Sequence, residues 1–297
     1  MKLIKFVYKT LFIRLLLIFL IGLTTTYLIA DLTAPRVPLL GFHGVIDIYK
    51  PEDKVFKDQK VQVMNYPKQE MEKFLDYLLL RDFWFLSTQD FYDYFILKSK
   101  PLPPEYVGRK SIMLSFDDGY KTIHTNLLPI LEKLEKKYQR KAKVVLFINP
   151  GNLDKLENNS SIHLTCNDLR EGLQKGFYDV QSHGLTHKKL TEINNQDLDV
   201  ELKQAQIKLR QCTQGLDPNH QVAVHFAYPF GATNSKVEKY TSKYYLSGYL
   251  YNSQIMKMGW LGSNYQIPRL TINRKHSPNR LIEAAERSYK LVKKEKG

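Results

Sequence analysis

The chain has 297 residues, a formal net charge of +14 at neutral pH and 43% hydrophobic residues. This length suits one α/β domain with a sizeable core. The basic residues are spread along the chain without a zinc-finger, basic-zipper or aromatic RNA-binding motif, which argues against nucleic acid as a partner. A diffuse basic surface fits attraction to anionic polymers of a cell wall better.

Residues 1–30 predict a membrane anchor or a signal sequence. A largely apolar stretch at residues 15–30 follows four basic residues, Lys2, Lys5, Lys9 and Arg14. Basic residues on this side stay in the cytoplasm, so the rest of the chain is expected outside the membrane. Signal cleavage favours small residues in an A-x-A pattern, but Leu28 and Leu32 stand two positions before Ala30 and Ala34. An uncleaved single-pass anchor is therefore favoured, and cleavage would make the protein secreted.

A linker is expected at residues 31–38, followed by one domain over residues 39–297. Apolar runs predict seven strands, at 39–46, 111–116, 143–149, 177–182, 222–228, 246–252 and 267–272. Amphipathic stretches predict helices between them, at 68–80, 88–97, 127–138, 167–175, 195–213, 235–244 and 278–294. Alternating strands and helices indicate an α/β fold with parallel strands and right-handed crossovers. About seven units predict a closed or nearly closed barrel, in which reactive residues lie where the strands end.

The two cysteines leave the redox compartment undecided. Cys166 and Cys212 have no CxxC spacing, so a disulfide and two unpaired thiols both remain open.

Two adjacent acids, Asp117 and Asp118, end the second predicted strand, and Gly119 follows them. Adjacent strand residues point to opposite faces and like charges repel, so a structural role explains this pair poorly. One carboxylate can bind a cation while the other acts as a base. A helix N-cap with an acidic neighbour is the alternative.

Two histidines four residues apart, His183 and His187, follow the fourth predicted strand. In a helical turn this spacing presents both imidazoles to one metal ion. Two imidazoles and one carboxylate suit a divalent transition metal, with zinc expected and cobalt, nickel or iron(II) as alternatives. Such a metal polarises a carbonyl and acidifies water, which is the chemistry of amide or ester hydrolysis.

A third motif, Ala227-Tyr228-Pro229-Phe230-Gly231, predicts a turn at a strand end. Tyr228, Phe230 and the backbone N–H groups of this turn are candidates for binding an oxyanion. An ordinary turn is the alternative interpretation.

The SFDDG, SHGLTH and AYPFG segments, in this order, resemble the polysaccharide deacetylases of carbohydrate esterase family 4, which share the NodB homology domain. The resemblance covers residues 39–272 and implies a distorted (β/α) barrel. It also implies that Asp117 is the general base and that Asp118, His183 and His187 bind the metal.

The chain departs from the usual family pattern at two places. Ala227 stands where the usual third motif has an arginine, and the late strand at 267–272 has no histidine to supply the usual general acid. The AYPFG segment and the early strand end at residues 41–45 look more like the branch that acts on poly-β-1,6-N-acetylglucosamine in biofilms. In that branch the early strand supplies the acid, so His43 is predicted as the general acid. Arg269 is predicted to orient an acid or a substrate group.

The sequence therefore predicts a metal-dependent hydrolase that removes N-acetyl groups from an extracellular N-acetylglucosamine polymer. Peptidoglycan or chitin-type N-acetylglucosamine is the alternative substrate within this class. A glycan-binding protein without activity on the same fold is the alternative outside it.

Overall fold

The computed structural model describes residues 2–49, 63–155, 162–259 and 261–288. The helices are α1 Lys2–Thr33, α2 Lys68–Leu80, α3 Thr88–Phe91, α4 Leu128–Tyr138, α5 Cys166–Gln174, α6 Asn195–Cys212, α7 Ser235–Thr241 and α8 Pro278–Glu286. The strands are β1 Arg36–Val37, β2 Leu39–Phe42, β3 Val45–Ile46, β4 Tyr66–Pro67, β5 Trp84–Phe85, β6 Ser111–Asp117, β7 Val144–Ile148, β8 Tyr178–Ser182, β9 His225–Ala227, β10 Ser247–Tyr249, β11 Met256–Lys257 and β12 Leu270–Thr271.

Seven parallel strands form the main sheet in the order β10-β9-β8-β7-β6-β2-β12, and β5 pairs with β6 outside this path. A parallel bridge between Tyr249 and Ile267 joins β10 to the segment just before β12, at the two ends of this order. Each of the seven predicted strands contributes one strand to the sheet. The predicted distorted barrel of about seven parallel strands is therefore confirmed.

The pleat of the strands divides their side chains between two apolar clusters. On β6, Met113 belongs to the cluster inside the barrel, which also contains Val145, Phe147 and Tyr249. Its neighbours Ile112 and Leu114 pack with the helices on the outside. Because side chains alternate along a strand, every residue in register with Met113 points into the barrel.

Several helix boundaries differ from the sequence expectation. The helix expected at 88–97 is α-helical only to Phe91 and continues as a π-helical turn at Tyr92–Ile96. Its cap is Ser87, whose side chain forms a capping box with Asp90. Helix α8 begins as expected, with Ser277 as N-cap and Pro278 in the first turn, and its helical residues end at Glu286. The rest of that prediction, beyond residue 288, lies outside the described residues.

A disulfide joins Cys166 at the start of α5 to Cys212 at the end of α6, with 5.3 Å between the Cα atoms. The sequence left this pairing open.

Helix α1 is a candidate membrane span, because Leu11–Leu32 has a mean hydropathy of 2.1 and none of it is buried. The segment expected as a linker is ordered. Residues 31–33 continue α1, and β1 pairs antiparallel with β11 through Arg36–Lys257 and Val37–Met256. The domain thus begins directly after the candidate span.

Candidate active site

The predicted site residues converge because they share one register at the carboxyl ends of neighbouring strands. Gly41 pairs with Ser115 across β2 and β6, and Asp117 pairs with Phe147 across β6 and β7. His43 lies two residues after Gly41, so it continues the inward-facing register of β2, as Asp117 does on β6. The carboxyl ends of parallel barrel strands meet at one face, which is where catalytic groups of such barrels lie.

Asp117 and Arg269 form a buried, bidentate ion pair. The guanidinium donates from Nη1 to Oδ1 at 2.7 Å and from Nη2 to Oδ2 at 2.8 Å. Arg269 also donates to the Ser115 hydroxyl and to the Leu250 carbonyl, and it is fully buried. The planar guanidinium matches both carboxylate oxygens, so it fixes the orientation of Asp117. The sequence named Arg269 without identifying this partner.

The environment keeps Asp117 ionised. Burial alone would raise the pKa of Asp117, but the charge of the Arg269 guanidinium and its hydrogen bonds to the carboxylate outweigh burial and lower the pKa. An ionised carboxylate is the form that a general base requires.

Asp118, His183 and His187 bring three potential ligand atoms within 4.8 Å of one another. Asp118 Oδ1 lies 3.5 Å from His183 Nε2 and 3.3 Å from His187 Nε2. These separations match the ~3.4 Å expected between ligands around a tetrahedral zinc ion with bonds of about 2.1 Å. Asp118 Oδ1 is also a buried oxygen without a hydrogen-bond partner. The donor set and spacing therefore fit a divalent transition metal.

The backbone at two of these residues is held in the left-handed region. Asp118 has φ 68° and His187 has φ 63°, which is uncommon outside glycine. Aspartate and histidine adopt this region more readily than most residues, so both turns form here without a glycine.

His183 is oriented by a backbone hydrogen bond. Its Nδ1 lies 2.8 Å from the Ala227 carbonyl oxygen, which can only accept, so Nδ1 carries the proton and Nε2 keeps its lone pair toward Asp118. Burial lowers the pKa of His183 to about 4, despite the opposing charges of Asp117 and Asp118. At neutral pH the ring is therefore the neutral imidazole that binds metals.

Two residues that the sequence did not single out hold the loop that carries both histidines. The Asn149 amide donates to the carbonyl oxygens of His183 and Gly184. The buried Glu201 carboxylate on α6 accepts from the Thr186 N–H at 2.9 Å and from the Thr186 hydroxyl. Neither residue belongs to the three motifs, and Glu201 looks like an ordinary helix residue in the sequence.

His43 lies on the other side of Asp118, with Nε2 at 3.8 Å from Asp118 Oδ2. Its Nδ1 is 3.4 Å from the Tyr251 hydroxyl, which itself donates to the Gly41 carbonyl. Because that hydroxyl proton is committed to Gly41, the Tyr251 oxygen is placed to accept from Nδ1. The Nε2 edge therefore faces the site. Tyr251 was not predicted as a site residue.

The two oxyanion-binding candidates of the third motif, Tyr228 and Phe230, lie in different environments. Tyr228 follows the inward-facing Ala227, so its ring points outward and packs with Phe226 and Tyr245. Its N–H donates to the Tyr249 carbonyl. Neither the ring nor the N–H of Tyr228 is thus directed at Asp118, His183 and His187, although the residue contributes to the cavity wall. Phe230 is 63% exposed, and its ring contacts His187 edge-to-face at 4.6 Å.

A cavity of about 470 Å³ contains these groups. Its wall includes Asp117, Asp118, His183, His187, His43, Tyr251 and Phe230. Tyr120, Asn152 and His163 extend it. This volume suits a sugar residue, and the cavity mixes aromatic surface with convergent polar groups, as ligand sites do.

Comparison with known proteins agrees with this geometry. Residues 105–248 match the model of the polysaccharide deacetylase family. No curated protein matches the chain. Among solved structures, a polysaccharide deacetylase from Bacillus cereus is 22% identical, with a TM-score of 0.67 over 85% of this chain and 69% of that one.

Two further structures share the fold. The Streptococcus pyogenes deacetylase PplD, in complex with acetate, is 21% identical, with a TM-score of 0.67 over 85% of this chain and 99% of that one. IcaB from Ammonifex degensii is 15% identical, with a TM-score of 0.61 over 85% of this chain and 97% of that one. Residues 105–248 thus resemble a polysaccharide deacetylase domain, and the chain shares the fold of the solved deacetylases.

Proposed function

We propose that this domain removes N-acetyl groups from glucosamine residues of an extracellular polysaccharide by metal-dependent hydrolysis. One observation carries the proposal. The metal-ligand cluster of Asp118, His183 and His187 shares a cavity with Asp117, a buried carboxylate that Arg269 keeps ionised. Deacetylases of this family are metalloenzymes, and the donor set fits zinc or a similar ion.

Asp117 acts as the general base in this proposal. A carboxylate has about four lone-pair positions, and the two bonds from Arg269 use two of them. A remaining lone pair accepts the proton of the water that attacks the acetamide carbon. A metal ion held by Asp118, His183 and His187 would polarise the acetamide carbonyl and favour deprotonation of that water.

His43 acts as the general acid. With Nδ1–H donated to Tyr251, the imidazolium form of His43 carries its second proton on Nε2, which faces the cavity and can give that proton to the departing amine. Phe230 remains the candidate for the oxyanion donor through its backbone N–H, at the rim of the same cavity.

The proposed polymer is poly-β-1,6-N-acetylglucosamine. The support is the origin of the proposed acid: His43 lies at the end of β2, and the late strand at 267–272 contains no histidine that could take this role. The acetate bound to PplD is the product expected of such hydrolysis. Peptidoglycan or chitin-type polymers remain the competing substrates. We place the domain outside the cell membrane, with α1 as its uncleaved anchor.

A panel of β-1,6- and β-1,4-linked N-acetylglucosamine oligomers, assayed for acetate release, tests the proposal. The wild type should release acetate faster from the β-1,6 oligomers, and Asp117→Asn should release none. Asp199→Asn, a partly exposed position on α6, is the matched control and should behave as the wild type. Faster release from the β-1,4 series would contradict the polymer, and full activity of Asp117→Asn would contradict the mechanism.

A further inference from the structure

A second cavity, of about 710 Å³, lies beside β12 and α8 and contains three arginines, Arg36, Arg280 and Arg287. Arg280 lies on α8 and Arg287 is the C-cap residue of that helix, seven positions later, so the two lie about two turns apart on one side of the helix. Arg36 lies on β1, so a strand contributes the third arginine of the cavity wall. One acid, Glu283, also lines the cavity.

None of these three arginines forms an ion pair with a carboxylate in the described part of the chain. Arg109, Arg140 and Arg269, by contrast, each pair with an aspartate. Guanidinium groups that share a cavity repel one another unless an anion lies between them. Their planar forks suit phosphate oxygens, which they bind through paired hydrogen bonds.

The position of the cavity relative to α1 indicates the source of that anion. The candidate span ends at Leu32, and Arg36 follows four residues later, at most ~14 Å along an extended chain. The junction is fixed. Lys257 pairs with Asp31, the Met258 N–H donates to the Pro35 carbonyl at 2.7 Å, and β1 pairs with β11. Arg36 is therefore held at the level of the lipid headgroups when α1 spans a membrane.

We propose that this arginine cavity binds the phosphate of an anionic phospholipid headgroup and so fixes the orientation of the catalytic domain on the membrane surface. The proposal rests on α1 being a retained anchor. A single helix anchors the chain but leaves the helix and the domain free to tilt together in the membrane, whereas a headgroup bound between β1 and α8 adds a second point of attachment.

Native mass spectrometry of the full chain, released from nanodiscs of phosphatidylcholine and phosphatidylglycerol, tests the proposal. The wild type should retain phosphatidylglycerol in preference to phosphatidylcholine. Each basic residue near an anionic membrane surface contributes about fivefold, so R280Q/R287Q should lower the enrichment about 25-fold. K203Q/K208Q removes the same charge from two exposed lysines of α6 and should leave the enrichment unchanged. Equal enrichment in all three proteins would overturn the proposal.

Hydrogen exchange in nanodiscs locates the ligand and separates its sources. Phosphatidylglycerol should slow exchange in residues 270–288 of the wild type but not of R280Q/R287Q. Equal protection by inorganic phosphate in pure phosphatidylcholine, or by a soluble polyanionic wall polymer, would overturn the lipid as the ligand. Failure of the chain to stay in the nanodisc would overturn both the anchor and the headgroup site. Acetate release by the same sample would still report separately on the proposed enzyme activity.

Discussion

Replacing Arg269 with methionine should destabilise the protein and disable its base. Arg269 and Asp117 are nearly inaccessible to solvent and are joined by bonds of 2.7 and 2.8 Å. Removing one partner of such a pair leaves a buried charge without compensation, which costs about 3–5 kcal/mol. In the wild type, Arg269 outweighs the effect of burial on the pKa of Asp117. Without Arg269, burial would raise that pKa.

The contribution of Asp117 to the pH dependence of stability should have opposite signs in the wild type and in Arg269→Met. In the wild type the lowered pKa of Asp117 stabilises the fold above the unfolded-state pKa, and this contribution is lost as the pH falls through the lower folded-state value. In Arg269→Met the raised pKa should destabilise the fold as the pH rises above the unfolded-state value. The difference in unfolding free energy should therefore be smallest in acid and grow toward neutral pH.

Urea unfolding of the full chain in detergent, measured from pH 4 to pH 8, checks these expectations. The acidic limb of the acetate-release profile should also move to higher pH in Arg269→Met. The double variant Asp117→Asn/Arg269→Met should lose less unfolding free energy than the sum of the two single variants, because it leaves no buried charge without a partner. A loss under ~1 kcal/mol in Arg269→Met, with an unchanged acidic limb, would refute this reasoning.

The remaining predictions concern the proposed acid and the support of the proposed metal ligands. His43→Gln should lower kcat about 10²–10⁴-fold while the bound metal stays at the wild-type level, because the proposal gives His43 the role of proton donor and not of ligand. Loss of metal in this variant, measured by elemental analysis, would assign His43 to the ligand set instead. Glu201→Gln should weaken metal binding about 10–100-fold in a chelator competition, because it loosens the turn at Thr186 that carries His187. The exposed Glu192→Gln is its control, and equal affinity of the two variants would show that Glu201 does not position the ligands.

Local sequence pattern was sufficient for the strands and for the main site candidates. Apolar runs that end in Asp117 and His183 mark strand ends, and parallel strands bring those ends together without any knowledge of the contacts. The same alternation placed Tyr228 outward, because it directly follows Ala227, whose side chain faces the barrel interior. Interpreting the third motif only as a turn did not predict that the Tyr228 side chain points out of the barrel.

Contacts between distant segments were beyond the sequence. Arg269 lies 152 residues from Asp117, and nothing in the local pattern indicates that its guanidinium pairs with that carboxylate. The pairing of Cys166 with Cys212 likewise depends on how α5 packs beside α6. Helical periodicity does not distinguish the π-helical turn at Tyr92–Ile96 from a regular helix end, because both keep the apolar face toward the core.

Acetate release by metal-depleted protein during titration with zinc tests the central claim most directly. The chain stripped by a chelator should release no acetate from N-acetylglucosamine oligomers, and activity should return and level off near one equivalent of zinc. His183→Gln should need far more zinc to reach the same rate. Full acetate release by the metal-free protein would contradict a metal-dependent deacetylase built on Asp118, His183 and His187.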